Sequence, residues 1–478
     1  MILSQGCDTN TQGRQQHETA GKPERSSLAK ASDTTRAKTK GQQIALDLRR
    51  TIHHFYPDLY QRLEAVEDPR RRRQYSMTEL LLGATFMFIA KEETRNAFNN
   101  DRAKTLFLSN YEALFGLELP HMDTVDAVLR VIDNEVLERL KASLLTSLIE
   151  KKVFGKFRML GRYYRIAADA TGVQKVKKGH CPHCLHKKSK TGKIIYFHNL
   201  LEAKLVTPNG FAISLASEWI ENPDDYNKQD CEQKAFKRLA EKIKKIFPRL
   251  PIAILADGLY PNAPFFDICK ANDWRFVVTL KDKSLTSLWA EVDLELLTHG
   301  KNVRSVWHPQ QKIHQAFRWL SALTYQKHEL SWVECVEEKE ERKKKAKEIE
   351  NGKKSTRFVY LTDIESCFEN VIELATSGRL RFKIENEGFN ELKNHGYNLS
   401  HKFSRVSALA MKNYVSLMHI AHLFNQLYLL SPSALAIWLG KETHKNMWKD
   451  FIAELLKGVI EAVDVLAACA ARIQIRYD

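Results

Sequence analysis

Two apolar runs in this chain each end on an aspartate: Tyr163-Tyr164-Arg165-Ile166-Ala167-Ala168-Asp169 and Ile252-Ala253-Ile254-Leu255-Ala256-Asp257. Each run reads as a buried strand, and a chain leaving such a strand can turn on Gly, Asn or Ser without placing a charge there. A third acid, Glu385, lies in Arg379-Leu380-Arg381-Phe382-Lys383-Ile384-Glu385-Asn386-Glu387, which reads as a helix. Two strand-end acids and one on a later helix can converge to hold divalent metal, as phosphoryl transfer on nucleic acid requires.

The order of the apolar runs sets the fold class. Residues 163–168, 194–206 and 211–216 read as three consecutive strands, with Pro208-Asn209-Gly210 as a tight turn between the last two. A helix over 230–247, a strand over 252–256, a helix over 262–271 and a strand over 275–280 follow. Three adjacent strands and then alternating helix and strand is the order of an α/β ribonuclease-H-like core with a mixed sheet. In that topology the ends of the first and fourth strands lie side by side, so Asp169 and Asp257 become neighbours.

The remaining segments differ in character. Residues 1–43 are rich in Gln, Thr, Ser, Lys and Gly, and read as a disordered basic tail. Residues 44–157 form a helical N-terminal region, taken as DNA-binding, in which Ser76-Met77-Thr78-Glu79 signals a helix start and His121-Met122-Asp123 another. The basic run Arg70-Arg71-Arg72-Arg73 is either a solvated turn or a phosphate contact. The first part of the core spans 158–282, a mainly β insertion spans 283–361, and the last part of the core, with the Glu385 helix, spans 362–402. Within the insertion the mixed-sign run 337–347 reads as a soluble face. Residues 403–478 form a helical C-terminal region with broad apolar faces.

Helical geometry bears on the third acid. At about 100° per residue, Phe382, Phe389 and Leu392 fall within about 60° of Glu385, while Glu387 points about 200° away, toward solvent. Arg381 and Lys393 flank Glu385 within about 80°. A carboxylate on an apolar face needs a positive partner. A salt bridge to Arg381 or Lys393 is one solution, and a metal shared with Asp169 and Asp257 is the other.

Charge names a partner class. Lys and Arg number 74 against 58 acids, a net +16, which favours a polyanion, nucleic acid first. No apolar run approaches the roughly 20 residues that span a bilayer, so no membrane role is expected. The start of the chain lacks the charged-then-apolar order of a secretory signal. Eight cysteines in 478 residues without such a signal suggest reduced thiols and a cytoplasmic home.

In His180-Cys181-Pro182-His183-Cys184-Leu185-His186, two thiols at Cys-x-x-Cys spacing and three imidazoles satisfy the ligand chemistry of zinc. Cys181 and Cys184 are the candidate ligands, and Cys231 could add a third across the fold. The competing reading is an exposed basic loop on DNA. Asp230 and Glu232 stand near the core, either orienting the site or serving as acids at a helix start.

The chain resembles the DDE transposases of bacterial insertion sequences, in the branch whose core carries a β insertion before the last acid. The resemblance runs from about 121 to 425. It rests on Ala167-Ala168-Asp169-Ala170-Thr171-Gly172, on Asp257-Gly258-Leu259, and on Gly378–Asn390 continued by Leu392-Lys393-Asn394-His395-Gly396-Tyr397-Asn398-Leu399-Ser400-His401. It implies that Asp169, Asp257 and Glu385 are the catalytic, metal-binding triad for Mg²⁺ or Mn²⁺. It further implies cleavage at the element ends and their joining to target double-stranded DNA, by a homodimer in a prokaryotic, nucleoid-associated setting. The family's wider signature surrounds the glutamate with a Tyr, an Arg and a Lys. Arg381 fits the Arg position, Gly378 stands at the Tyr position, and Lys393 comes one residue after the Lys position. Arg381 and Lys393 would bind DNA phosphate. A related nuclease and a non-catalytic DNA-binding descendant are the alternatives.

Overall fold

Thr39 and Gln42 open the helical part of the chain. Each side chain accepts the other residue's backbone N–H, and this reciprocal cap starts the helix Lys40–Phe55. The tail expected to run to residue 43 is therefore shorter, because residues 40–43 form the first helical turn. Gly41 fits there because a Cβ would lie 2.6 Å from the Asp450 carbonyl oxygen. The computed structural model describes residues 38–176, 181–300, 302–345, 348–438, 442–471 and 474–477. The remainder of the expected tail, residues 1–37, lies outside the described residues.

Of the two candidate caps, Ser76 and Thr78, it is Ser76 that forms the capping box with Glu79, and every residue of the helix Met77–Ile89 except Glu79 is buried. The stretch from His121 divides into two helices, Met122–Leu129 and Asn134–Glu150, because Asp133 caps the second. Asn413 donates to the carbonyls of Leu129 and Ile132, left open by that break. Asn413 belongs to the helix Ala408–Leu429, so helices from the two ends of the sequence pack on one another. Phe55 stacks on Tyr477 at 6.0 Å, and Tyr56 meets Phe424 at 5.5 Å. Among the described residues no helix is long and apolar enough to cross a membrane.

The rest is a mixed α/β arrangement around one sheet. Its strands are β1 (Tyr164–Val176), β2 (Leu185–Lys188), β3 (Ile194–Val206), β4 (Ala212–Ile220), β5 (Ile252–Ala256), β6 (Arg275–Thr279), β7 (Val303–His308), β8 (Ile313–Tyr325), β9 (His328–Lys345) and β10 (Glu348–Thr362). β2 and β4 share the outer edge of β3, and the order continues β3-β1-β5-β6-β10-β9-β8-β7. β1 pairs antiparallel with β3 and β3 with β4, whereas β1, β5 and β6 run parallel. The turn before β4 is the expected one, with Gly210 at φ 112°, a region glycine enters without strain. The segment after β6 begins with a helix, Thr286–His299, that its composition did not suggest, and then extends the sheet by four antiparallel strands.

β1 is longer than its apolar run. Pairing with β3 continues past Ala168 to Val176, with a bulge between Gly172 and Gln174. Asp169 therefore lies inside the strand, opposite Glu202, rather than after its end. Hydrogen bonding from β3 carries the strand onward, although its side chains turn polar.

Alternate residues of the three parallel strands bury into different cores. Ile166, Ile254, Ala256 and Phe276 pack with Phe236, Leu239 and Phe265 of the helices Glu232–Ile246 and Ala263–Ala271. Ala167, Leu255 and Val277 pack on the other face with Val371, Leu374, Ile384 and Phe389. Val371 and Leu374 are fully buried and stabilise this contact by about 2 kcal/mol each.

Gly378, in the helix Val371–Leu380, touches this face too closely for any side chain, since a Cβ would sit 2.4 Å from the Tyr360 ring. In an open helix Gly→Ala gains up to about 1 kcal/mol, but overpacking costs about 1–3 kcal/mol. The clash wins. Gly378→Ala should lower stability in urea by roughly 1–2 kcal/mol, and the same change made in a Tyr360→Ala background should cost nothing further.

Candidate active site

The parallel pairing of β1 with β5 brings the two aspartates together. The last registered pair is Ala167 with Leu255, and each aspartate lies two residues beyond its member of that pair. Asp169 accepts the Ala170 N–H at 2.9 Å. Asp257 follows β5 directly, accepts the Leu259 N–H at 2.8 Å, and has Lys281 Nζ at 3.6 Å. Lys281 lies across Gly258, where a Cβ would come within 2.5 Å of it.

Glu385 joins them through Arg381. The buried Arg381 guanidinium stands 3.3 Å from Asp169 and 2.8 Å from Glu385, so one cation bridges two of the three acids. Lys393 donates to the Thr171 hydroxyl, and Asp169 helps to sustain its charge against burial. Asp169, Asp257, Glu385, Arg381 and Lys393 thus all lie around the middle of β1, the end of β5 and the Glu385 segment. The salt bridge from Glu385 to Arg381, one of the two solutions read from the helix, is present.

The helical reading of that segment needs correction. Residues Ile384–Asn390 wind as a π-helix, with i→i+5 bonding, so a fixed 100° step misplaces the side chains. Glu385 does not sit in a buried stripe: its side chain is 46 % exposed. Glu387, expected to face solvent, is the more enclosed at 30 %. It pairs with Lys383, and its Oε2 is buried without a hydrogen-bond partner. Glu385 shares Arg381 with Asp169, whereas Glu387 is paired with Lys383.

Electrostatics reveal a fourth acid. Burial pushes the Asp169 carboxyl up to about 7; Arg381 opposes this, while Glu232 and Glu385 add to it. Burial also raises Glu232, against a hydrogen bond from the Tyr260 hydroxyl at 2.7 Å and with help from Asp257. Glu232 therefore stands between the two aspartates electrically, from the first turn of the helix after β4. In sequence it resembles an ordinary helix-start acid; only the strand order shows what it faces. Asp230, by contrast, is held by Arg238 at 2.6 Å and serves the local fold.

These acids are spaced by cations rather than collapsed into a cage. Among the described residues, the group of three ligand atoms lying mutually within 4.8 Å is Cys181, Cys184 and His198. Cys231, expected as a zinc partner, is exposed and lies outside that group, and an imidazole from β3 takes its place. All seven cysteines among the described residues are free thiols. Arg70 and Arg73 of the basic run pair with Asp68, at 2.8 and 3.2 Å, in the manner of a solvated turn. No protein-family model matches this chain, and a search of curated proteins finds no relative of it.

Asp169 titrates near 7 in the folded chain against an ordinary 3.8. The folded state therefore binds the extra proton between those values, and stability falls as pH rises through them. Asn mimics the protonated carboxyl. Metal-free Asp169→Asn should nearly match the unsubstituted chain at pH 4 and exceed it at pH 8 by on the order of 4 kcal/mol, about 1.4 for each of the roughly three pH units between those values. Thermal melts at the two pH values check this.

Proposed function

We propose that this chain is a DDE-type DNA transposase, cutting the ends of a mobile element and joining them to target DNA by metal-dependent phosphoryl transfer. The observation that carries the proposal is the β1–β5 pairing, with Asp169 and Asp257 at one level and Glu385 tied to Asp169 through Arg381. The order β4-β3-β1-β5-β6, antiparallel then parallel, is that of a ribonuclease-H-like core and supports the reading. The net charge of +16 suits a double-stranded DNA partner, and synapsis of two ends calls for a homodimer.

The donor set fits a hard divalent cation. Asp169, Asp257, Glu385 and the adjacent Glu232 offer only oxygen, and burial together with neighbouring negative charge makes an unneutralised Asp169 costly. These residues would hold Mg²⁺ or Mn²⁺, which supplies activation of water or a DNA 3′-hydroxyl and stabilisation of the leaving oxygen. The chain's own groups do the positioning. Glu232 is oriented by Tyr260, and Asp257 by the Leu259 N–H. Arg381 and Lys393 lie on Asp169, Glu385 and Thr171, and with the acids holding metal they would be donors for the phosphates beside the scissile bond.

A second reading draws on the same ion pairs. Arg381 and Lys281 already meet the acids, as they would in a DNA-binding protein that does no chemistry. Nicking of supercoiled plasmid in Mg²⁺ or Mn²⁺ separates the two. The unsubstituted chain should nick, and Asp257→Ala should bind DNA yet fall to background; binding without nicking by either protein would establish the second reading. Joined products from element-end substrates distinguish a transposase from a nuclease.

The two glutamates can be told apart in the same assay. Glu385→Gln should abolish nicking, Glu387→Gln should retain it, and Glu232→Gln should reduce it without abolishing it. Loss in Glu387→Gln with activity kept in Glu385→Gln would exchange their roles.

A further inference from the structure

Away from the acids, the chain brings two thiols and an imidazole to one point. Cys181 and Cys184 Sγ atoms lie 3.4 Å apart, and His198 Nε2 lies 3.5 Å from the first and 3.2 Å from the second. A disulfide would need about 2.05 Å, so the sulfurs are not bonded to each other. Tetrahedral zinc, with bonds near 2.3 Å to sulfur and 2.0 Å to nitrogen, sets its ligands about 3.5–3.8 Å apart. The observed triangle is within a few tenths of an ångström of that spacing.

The surroundings hold this triangle in place. Asn222 donates to the Cys184 carbonyl at 2.9 Å and to the His183 carbonyl at 3.0 Å, which fixes the backbone at His183 and Cys184. Gln229 bonds both backbone groups of His186. His183 Nδ1 is engaged by the Asn222 carbonyl at 3.0 Å and is turned away from the thiols. The His198 side chain is only 5 % exposed, and its Nδ1 has no hydrogen-bond partner; Glu221 Oε1 is its nearest acid at 3.4 Å. Glu221 is in turn held by Lys412 at 2.6 Å. A carboxylate behind an imidazole whose other nitrogen faces two thiols is the outer arrangement of a metal-bound histidine.

We propose that Cys181, Cys184 and His198 bind a structural zinc ion, with Glu221 orienting His198. Zinc replaces the two thiol protons, which pass to solvent, and His198 coordinates through Nε2. Sulfur and imidazole donors select zinc over the hard cations that suit the carboxylate site. Among the described residues no further His, Cys, Asp or Glu joins the group, and a solvent oxygen takes the fourth corner.

The position gives the ion a purpose. His198 pairs with Gln174 on β1, five residues beyond Asp169. The ion would tie the outer ends of β1, β2 and β3 together where Lys187, Lys188, Lys190 and Lys193 are exposed. It would stiffen a basic ribbon that extends from the acid cluster.

The test uses the full chain, purified without chelator. Metal analysis should find about one zinc per chain, retained in Cys231→Ser and lost in Cys184→Ser and His198→Ala. Because those losses could reflect misfolding, the unsubstituted chain is also loaded with Co²⁺, which should give thiolate-to-cobalt absorption and tetrahedral visible bands. Glu221→Gln should fold and bind zinc roughly 10- to 100-fold more weakly in competition with a chromophoric chelator. Chelation should speed tryptic cleavage between Lys187 and Lys193. A zinc-free protein with no cobalt bands would overturn the proposal, as would zinc retained after His198→Ala.

Discussion

The pairing of β1 with β5 is the constraint on which the rest depends. A parallel ladder in this sheet requires the chain to leave β4, cross by the helix Glu232–Ile246 and return beside β1. That single crossover does three things. It buries five consecutive apolar residues of β5 on both faces, sets Asp257 level with Asp169, and delivers Glu232 at the start of the crossing helix. The apolar core and the acid cluster are therefore products of one topological step.

Charge does not stop at the cluster but continues into the interior. Glu202, the cross-strand partner of Asp169, and Lys204 are fully buried and 3.1 Å apart. In a second buried group, Lys141 donates to both oxygens of Glu138 and to the hydroxyls of Ser214 and Ser217. Ser416 adds a bond to Glu138, and Gln426 bonds the Ala212 N–H and the Glu387 carbonyl. Buried ion pairs recover their desolvation cost only with such additional bonds. The helix Ala408–Leu429, apolar over most of its surface, supplies several of those bonds from a polar stripe. It fastens the sheet and the π-helical segment to the same layer.

Much of this was legible in the sequence because it rests on local pattern. The limits of β3 and β5, the Ser76 capping box and the turn at Gly210 all follow from alternation or from one residue's conformational needs. Other features depend on a partner strand or a distant helix. β1 outruns its apolar stretch because β3 continues to bond it. The π-helical winding at Glu385 cannot be read from a fixed helical period. His198 looked like an ordinary strand residue, since its thiol partners approach only through antiparallel pairing. Glu232 was visible as an acid near the core, but the charges it faces come from two strands.

The strand β10 leads straight toward Glu385. Its last three residues, Tyr360 to Thr362, bond to β6, and the helix that carries the chain to Glu385 begins at Val371. The excursion β7–β10 is thus a spacer built in series with the acid cluster, not an ornament hung beside it. Residues gained or lost at the far ends of β9 and β10 would leave the anchor on β6 untouched. A one-residue slip at the anchor itself would reverse which face Tyr360 presents and carry the helix behind it out of place. Variation in chains of this architecture should accordingly concentrate at the far ends of β9 and β10 and be strictly excluded at the β6 seam.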